Sequence, residues 1–210
     1  MVAVKIIKVG IFQITHHLSH HPFQDMTREV ALMVPVILQE MSSLRSPDIS
    51  SLIGVCVEDE EAMFITELMT GNLRKLLQSR VPLSLPLRLR MALDAATGMQ
   101  YLHGSNVTHG DLKSSNVLYE QQGDDYVVRI SDFGLAKLFS SKIKAIGTPF
   151  YTAPEVLSGG EITKESDVYS FGILLYEIIS RKQPFSNFDN YEAFKKALTS
   201  QVSSQAISSL

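Results

Sequence analysis

Asp111, Lys113 and Asn116 fall within one short run, His109-Gly110-Asp111-Leu112-Lys113-Ser114-Ser115-Asn116. A carboxylate can take up a proton, an ammonium can meet an anion, and an amide oxygen is a hard ligand. A second carboxylate, Asp132, follows 21 residues after Asp111 in Asp132-Phe133-Gly134. Near the start, Val2-Ala3-Val4-Lys5 places a lysine in an apolar stretch. Two other groups could carry chemistry. His16, His17, His20 and His21 crowd a short polar stretch. They could bind a metal, but no second ligand cluster accompanies them, so they read as a solvated loop. Cys56 stands alone in the apolar run 52–57, which excludes an internal disulfide and reads as a buried, reduced thiol.

These residues need elements to hold them. Val2, Val4, Ile6 and Ile7 suit a strand. Residues 25–33 read as a helix with Met26, Val30 and Met33 on one face, and Pro35 should end or kink it. Strands are expected over 51–57 and 62–67, joined by the acidic turn 58–61. Beyond Asn72 helices dominate. Leu89, Ala92, Leu93, Ala96, Met99 and Leu102 follow a helical period, with Pro86 near the start of the helix. Residues 116–118 and 126–130 suit two short strands. Residues 167–179 are apolar nearly all round, so a buried helix is expected there. Arg181, Lys182 and Pro184 form its stop signal.

Taken together, the motifs resemble those of a eukaryotic protein kinase catalytic domain, nearest to the tyrosine-kinase-like group of Ser/Thr kinases. His109–Asn116 is similar to the catalytic loop, Asp132-Phe133-Gly134 to the magnesium motif, and Ala153-Pro154-Glu155 to the end of the activation segment. The resemblance runs from about Val2 to Ser186. It implies an α+β, bilobal protein-kinase-like fold: a small, β-rich and incomplete N-lobe over 1–66, a hinge over 67–71, and a mainly helical C-lobe over 72–210. By the same resemblance Asp111 is the base for the substrate hydroxyl, and Lys113 reaches the transferring phosphate. Asn116 and Asp132 bind Mg2+. Lys5 pairs with the ATP phosphates and with a helix glutamate. Glu29 is assigned that role, with Glu40 as competitor, by treating eight residues around 34–41 as an insertion. Thr66 is the gatekeeper, backbone groups of Glu67 and Met69 meet the adenine, and Ala3 and Leu118 sandwich it. Asp167 is implied to hold the catalytic-loop backbone, with Glu155 also structural.

Three departures qualify the resemblance. No Gly-rich loop precedes Lys5, the last helices of the family are absent, and Gly110 replaces the usual arginine of the catalytic loop. The expectation is a segment cut short at both ends, nearly inactive and poorly stable alone. Its Glu155 would be left as an unpaired, partly buried carboxylate. With Gly110 there is no cationic clamp at that position, so dependence on phosphorylation of Ser140, Ser141 or Thr148 through this residue is not expected. The functional expectation is an ATP- and Mg2+-dependent protein Ser/Thr kinase, with a pseudokinase docking module as the alternative. Lys113 and the Gly147-Thr148 pair point to Ser/Thr, leaving dual specificity open. The 210 residues carry 45% hydrophobic side chains and a formal charge of -3, which suits a folded domain acting on proteins and opposes an electrostatic nucleic-acid binder. No stretch approaches the roughly 18 apolar residues of a membrane span. A cytoplasmic location is expected.

Overall fold

The computed structural model describes residues 2–8, 41–58, 61–134, 149–186, 188, 193–194 and 196–197. The expected helix over 25–33, the four clustered histidines, Glu29, Glu40 and the side chains of Ala3, Lys5 and Cys56 lie outside this description.

Two small antiparallel sheets form the β framework. In the first, β1 (Val2–Lys8), β2 (Leu52–Glu58) and β3 (Glu61–Glu67) run in the order β1-β3-β2. Ala3 stands opposite Thr66, Lys5 opposite Phe64, and Glu58 faces Glu61 across the β2–β3 hairpin. The chain leaves this sheet at Glu67 and enters the second at Gly71. There, β4 (Gly71–Asn72), β5 (Val117–Gln122) and β6 (Asp125–Ile130) lie side by side. Both strand pairs expected from the sequence are present; β2 is shifted by one residue from the expected 51–57, and β3, β5 and β6 are longer than expected.

Three of the helices begin where a side chain satisfies one of their first N–H groups. Asn72 Oδ1 accepts from Lys75 N at 3.0 Å to start α1 (Leu73–Gln78). Ser84 Oγ accepts from Leu87 N at 3.3 Å to start α2 (Leu85–Gly104), with Pro86 in the first turn. A four-residue helix, α3 (Pro154–Leu157), follows the 3-10 turn Pro149–Tyr151. A capping box between Thr163 and Ser166 starts α4 (Lys164–Ser180), and Arg181 closes it at φ 55°.

α2 packs against β6 and α4. Its core stripe is Leu87, Met91, Ala92, Ala95, Met99 and Leu102. Leu89 and Leu93 instead face outward, 52% and 64% exposed. Ala92, Met99 and Leu102 of the expected period do face the core, whereas Leu89 and Leu93 do not, because apolar side chains occur on more than one side of this helix. α4 brings a second correction. It is not buried all round: Val168, Leu175 and Tyr176 are exposed, while Asp167, Ser170 and Glu177 share the buried stripe with Leu174 and Ile178. The inward stripe is chosen by what α4 must hydrogen-bond, not by hydropathy alone. Glu155 is also exposed, so no burial penalty attaches to its carboxylate, contrary to expectation.

Candidate active site

The loop between α2 and β5 is fastened from below by one carboxylate. Asp167, in the first turn of α4, is 1% exposed. Its Oδ1 accepts from Gly110 N at 2.8 Å. Its Oδ2 accepts from His109 N at 2.7 Å and meets His103 Nε2 at 2.9 Å. These contacts offset the cost of burying the charge. The loop turns at Gly110 with φ 78°, a conformation glycine adopts without strain.

Above this anchor three predicted site residues touch. Lys113 Nζ lies 2.6 Å from Asp111 Oδ2. Asn116 Nδ2 donates to Asp111 O at 2.8 Å and to its Oδ2 at 3.0 Å. The 3-10 turn Ser114–Asn116, which leads straight into β5, makes this five-residue reach possible. Because the amide nitrogen of Asn116 is committed to Asp111, its Oδ1 is the atom left for a cation.

Asp132 is brought to the same place through its neighbour. Ser131 donates from N and from Oγ to Asn116 O, both at 2.9 Å. His109 Nε2 donates to Ser131 O at 3.0 Å, while its Nδ1 accepts from Asp111 N at 3.3 Å. The two bonds require the neutral ring with its proton on Nε2. Burial pushes the His109 pKa down, opposed by the carboxylates of Asp167, Asp111 and Asp132. Asp132 takes φ 62° and Gly134 φ 75°, with Phe133 buried between them. Aspartate tolerates the left-handed region better than most side chains, so this turn can hold a carboxylate where glycine would otherwise be needed.

Tyr151 supports the loop from the other side. Its hydroxyl donates to the buried Glu177 carboxylate and lies 3.2 Å from Ser114 Oγ. Ser170 Oγ donates to Tyr151 O at 2.7 Å. Burial, then the bond to Glu177, pushes the phenol pKa well up, so the ring stays neutral. A small cleft beside Asp111 is lined by Gly110, Tyr151, Ala153 and Val156.

Of the remaining predicted residues, Glu29 lies outside the described residues, and the others sit on the two sheets or on the connection between them. Thr66, Glu67 and Met69 follow one another out of β3, and Thr66 Oγ1 donates to Glu67 O at 3.4 Å. Leu118, half-buried, stands opposite Arg129 in the β5–β6 ladder. Ala3 and Lys5 are placed only by backbone register. Sequence reasoning gave no role to His103, Ser131 or Tyr151, or to Arg129, whose guanidinium meets the Glu67 carboxylate. Tyr151 lies between the Gly147-Thr148 pair and Ala153-Pro154-Glu155, both of which the sequence singled out. The others are recruited by packing and left no local signal.

Asn116 and Asp132 supply hard oxygen donors, and magnesium takes one or two protein ligands alongside phosphate oxygens. That donor set fits the ion. Among the described residues no group of three or more acidic, histidine or cysteine side chains is arranged to hold a metal without such help.

The model of the protein tyrosine and serine/threonine kinase family matches residues 2–207. The chain belongs to this family. As a kinase domain it is similar to the dual specificity protein kinase shkC of Dictyostelium discoideum, 43% identical over 168 residues, covering 75% of this chain and 33% of that protein. It is also similar to the human dual specificity testis-specific protein kinase 1, 40% identical over 153 residues, covering 69% and 24%. With Dictyostelium shkA the identity is 38% over 208 residues, covering 94% and 36%. The chain thus spans about a third or less of the length of these curated relatives. The kinase domain has an α+β architecture, and no helix among its described residues is long and apolar enough to cross a membrane.

Proposed function

We propose that this chain carries the phosphoryl-transfer centre of a protein kinase, moving the γ-phosphate of ATP to protein hydroxyls. The single observation behind it is the contact set Lys113–Asp111–Asn116, stapled through the Asn116 carbonyl to Ser131, the residue before Asp132. Asp111 orients the acceptor hydroxyl and takes its proton. The bond from the γ-phosphorus to the β,γ-bridging oxygen breaks as the hydroxyl oxygen bonds that phosphorus, and ADP leaves with the bridging oxygen. Lys113, paired to Asp111, meets the negative charge of the phosphoryl group in flight. Asn116 Oδ1 and the Asp132 carboxylate would hold Mg2+, which offsets phosphate charge when bound. Lys5 would meet the α- and β-phosphates, with Glu29 as its partner. Thr66, Glu67, Met69, Ala3 and Leu118 would frame the adenine. Residues 1–66, 67–71 and 72–210 serve as N-lobe, hinge and C-lobe.

Lys113 supports serine and threonine as acceptors. The relatives are named dual specificity kinases, which supports tyrosine as a second acceptor. A cytoplasmic setting suits these substrates. The test is Mg-ATP turnover on a generic protein substrate, with phosphoamino-acid analysis of the product. Asp111→Asn is expected to lower kcat by about 10²–10⁴. Turnover unchanged by Asp111→Asn contradicts the assignment of the base. An ATP-dependent rise in Tm without turnover supports the docking-module alternative instead.

A further inference from the structure

Arg129 lies three residues before Asp132, on the last strand before the Asp-Phe-Gly turn, yet its side chain reaches the edge where β3 ends. Its Nη1 donates to Glu67 Oε2, and the same nitrogen lies 3.8 Å from Met69 Sδ. Its Nη2 is 3.6 Å from Glu120 Oε2. The other oxygen of Glu67 accepts from Ser51 N at 3.0 Å, at the entrance to β2. One carboxylate thus joins the start of β2, the end of β3 and the end of β6. The pair is only partly exposed, 20% for Arg129 and 27% for Glu67, so solvent screens it less than a surface pair. Arg129 Nε is buried with no hydrogen-bond partner among the described residues. A stranded donor costs stability, and an apolar side chain of similar length would avoid it. Stability alone is therefore a poor account of an arginine here.

We propose that Arg129 is a positioning residue for nucleotide binding. By holding the Glu67 carboxylate it fixes the backbone from Glu67 to Met69 relative to the strand pair that carries Leu118. The inference rests on the nucleotide-cleft reading above. Glu67 and Met69 offer their backbone groups to the adenine in that reading, and Leu118 stands directly opposite Arg129 in the ladder. The guanidinium therefore ties together two sides of one ligand site. It takes no part in the phosphoryl step.

The experiment measures Kd for Mg-ATP by calorimetry, KM for ATP, kcat and Tm on the full chain. Arg129→Met and Glu67→Gln are each expected to raise Kd and KM by about tenfold, the scale of one lost charge-assisted contact. kcat should stay within about twofold, as uniform binding loss requires. The double variant should be little worse than either single one. Arg129→Lys should fall between wild type and Arg129→Met, because a point charge restores attraction but not the forked geometry. Should Arg129→Met fail to fold, Glu67→Gln, which keeps shape and hydrogen-bonding capacity, decides. A lower Tm with unchanged Kd in these variants would overturn the proposal and leave a structural staple. Wild type that binds no Mg-ATP would overturn the nucleotide-cleft reading and this inference with it.

Discussion

His109 shows how one buried ring can govern a neighbouring carboxylate. Its Nδ1 accepts from the Asp111 backbone and its Nε2 donates to Ser131, so the neutral tautomer is the one that satisfies every partner. Protonation would turn Nδ1 into a donor facing another donor. The folded pKa is depressed, with burial the largest cause. In the unfolded chain the ring takes up a proton near its ordinary value of about 6.5. The unfolded state then binds more protons than the folded one, so stability is present above that value and is lost as pH falls through it. Tm is expected to fall between pH 7.5 and pH 5.5, and His109→Gln should flatten that slope while lowering Tm at neutral pH. Thermal melts across this window check it; identical slopes would place the acid sensitivity elsewhere. Tyr151 gives a second residue-scale expectation. Tyr151→Phe removes the donor to buried Glu177 and the partner of Ser114 Oγ. The expected loss is about 1–3 kcal/mol, read from urea denaturation.

α4 is as much a hydrogen-bonding element as a hydrophobic one. Its capping box fixes where the first turn begins, and that places Asp167 under the loop that holds Asp111. Asp167→Ala would strand the N–H groups of His109 and Gly110 together with His103. The expected cost is about 3–5 kcal/mol, as for removing one side of a buried charged network. Asp167→Asn keeps the shape but offers only one acceptor oxygen, so it should cost less and lower kcat more than KM changes. Steady-state kinetics on Asp167→Asn separate a misplaced loop from simple unfolding. The role of Asp167 was available from the sequence only through family resemblance. Asp111, Lys113 and Asn116 stood out as a set because they fall in one short run, although their mutual contacts came only from the structure. The outward turn of Leu89 and Leu93 on α2 and the exposed side of α4 were not legible. Periodicity reports that apolar residues recur, and only packing partners decide which recurrence faces inward. The pairing of Arg129 with Glu67 crosses two sheets and had no local signature at all.

Across the whole molecule, the two sheets are joined by more than the covalent connection at residues 68–70. Residues 48–50 add a short strap to the free edge of β6. Ile130 N donates to Asp48 O at 2.9 Å, Ser50 N donates to Ile130 O at 2.7 Å, and Ile49 forms an isolated parallel bridge with Ile130. Ile49 is 1% exposed, so the strap is packed as well as hydrogen-bonded. Two residues later the same chain enters β2, which makes the strap a second tether between the halves. It can lie this close to α2 only because residue 98 is glycine. A Cβ there would stand 2.6 Å from Asp48 O and 2.7 Å from Ile130 Cγ1. Neither atom ends a flexible side chain, so the strap or the helix would have to move. Gly98→Ala is expected to cost about 2–3 kcal/mol despite the better helix propensity of alanine, lowering Tm by roughly 5–10 °C. Gly172→Ala is the matched control. It sits inside α4, is exposed, and a Cβ there meets nothing within 4 Å. That substitution should stabilise by up to about 1 kcal/mol. If the strap also aligns the two sides of the nucleotide cleft, Gly98→Ala weakens Mg-ATP binding at temperatures well below its Tm, whereas Gly172→Ala leaves it unchanged. Equal Tm values for the two variants would show that the strap is not held against α2 as closely as these distances require.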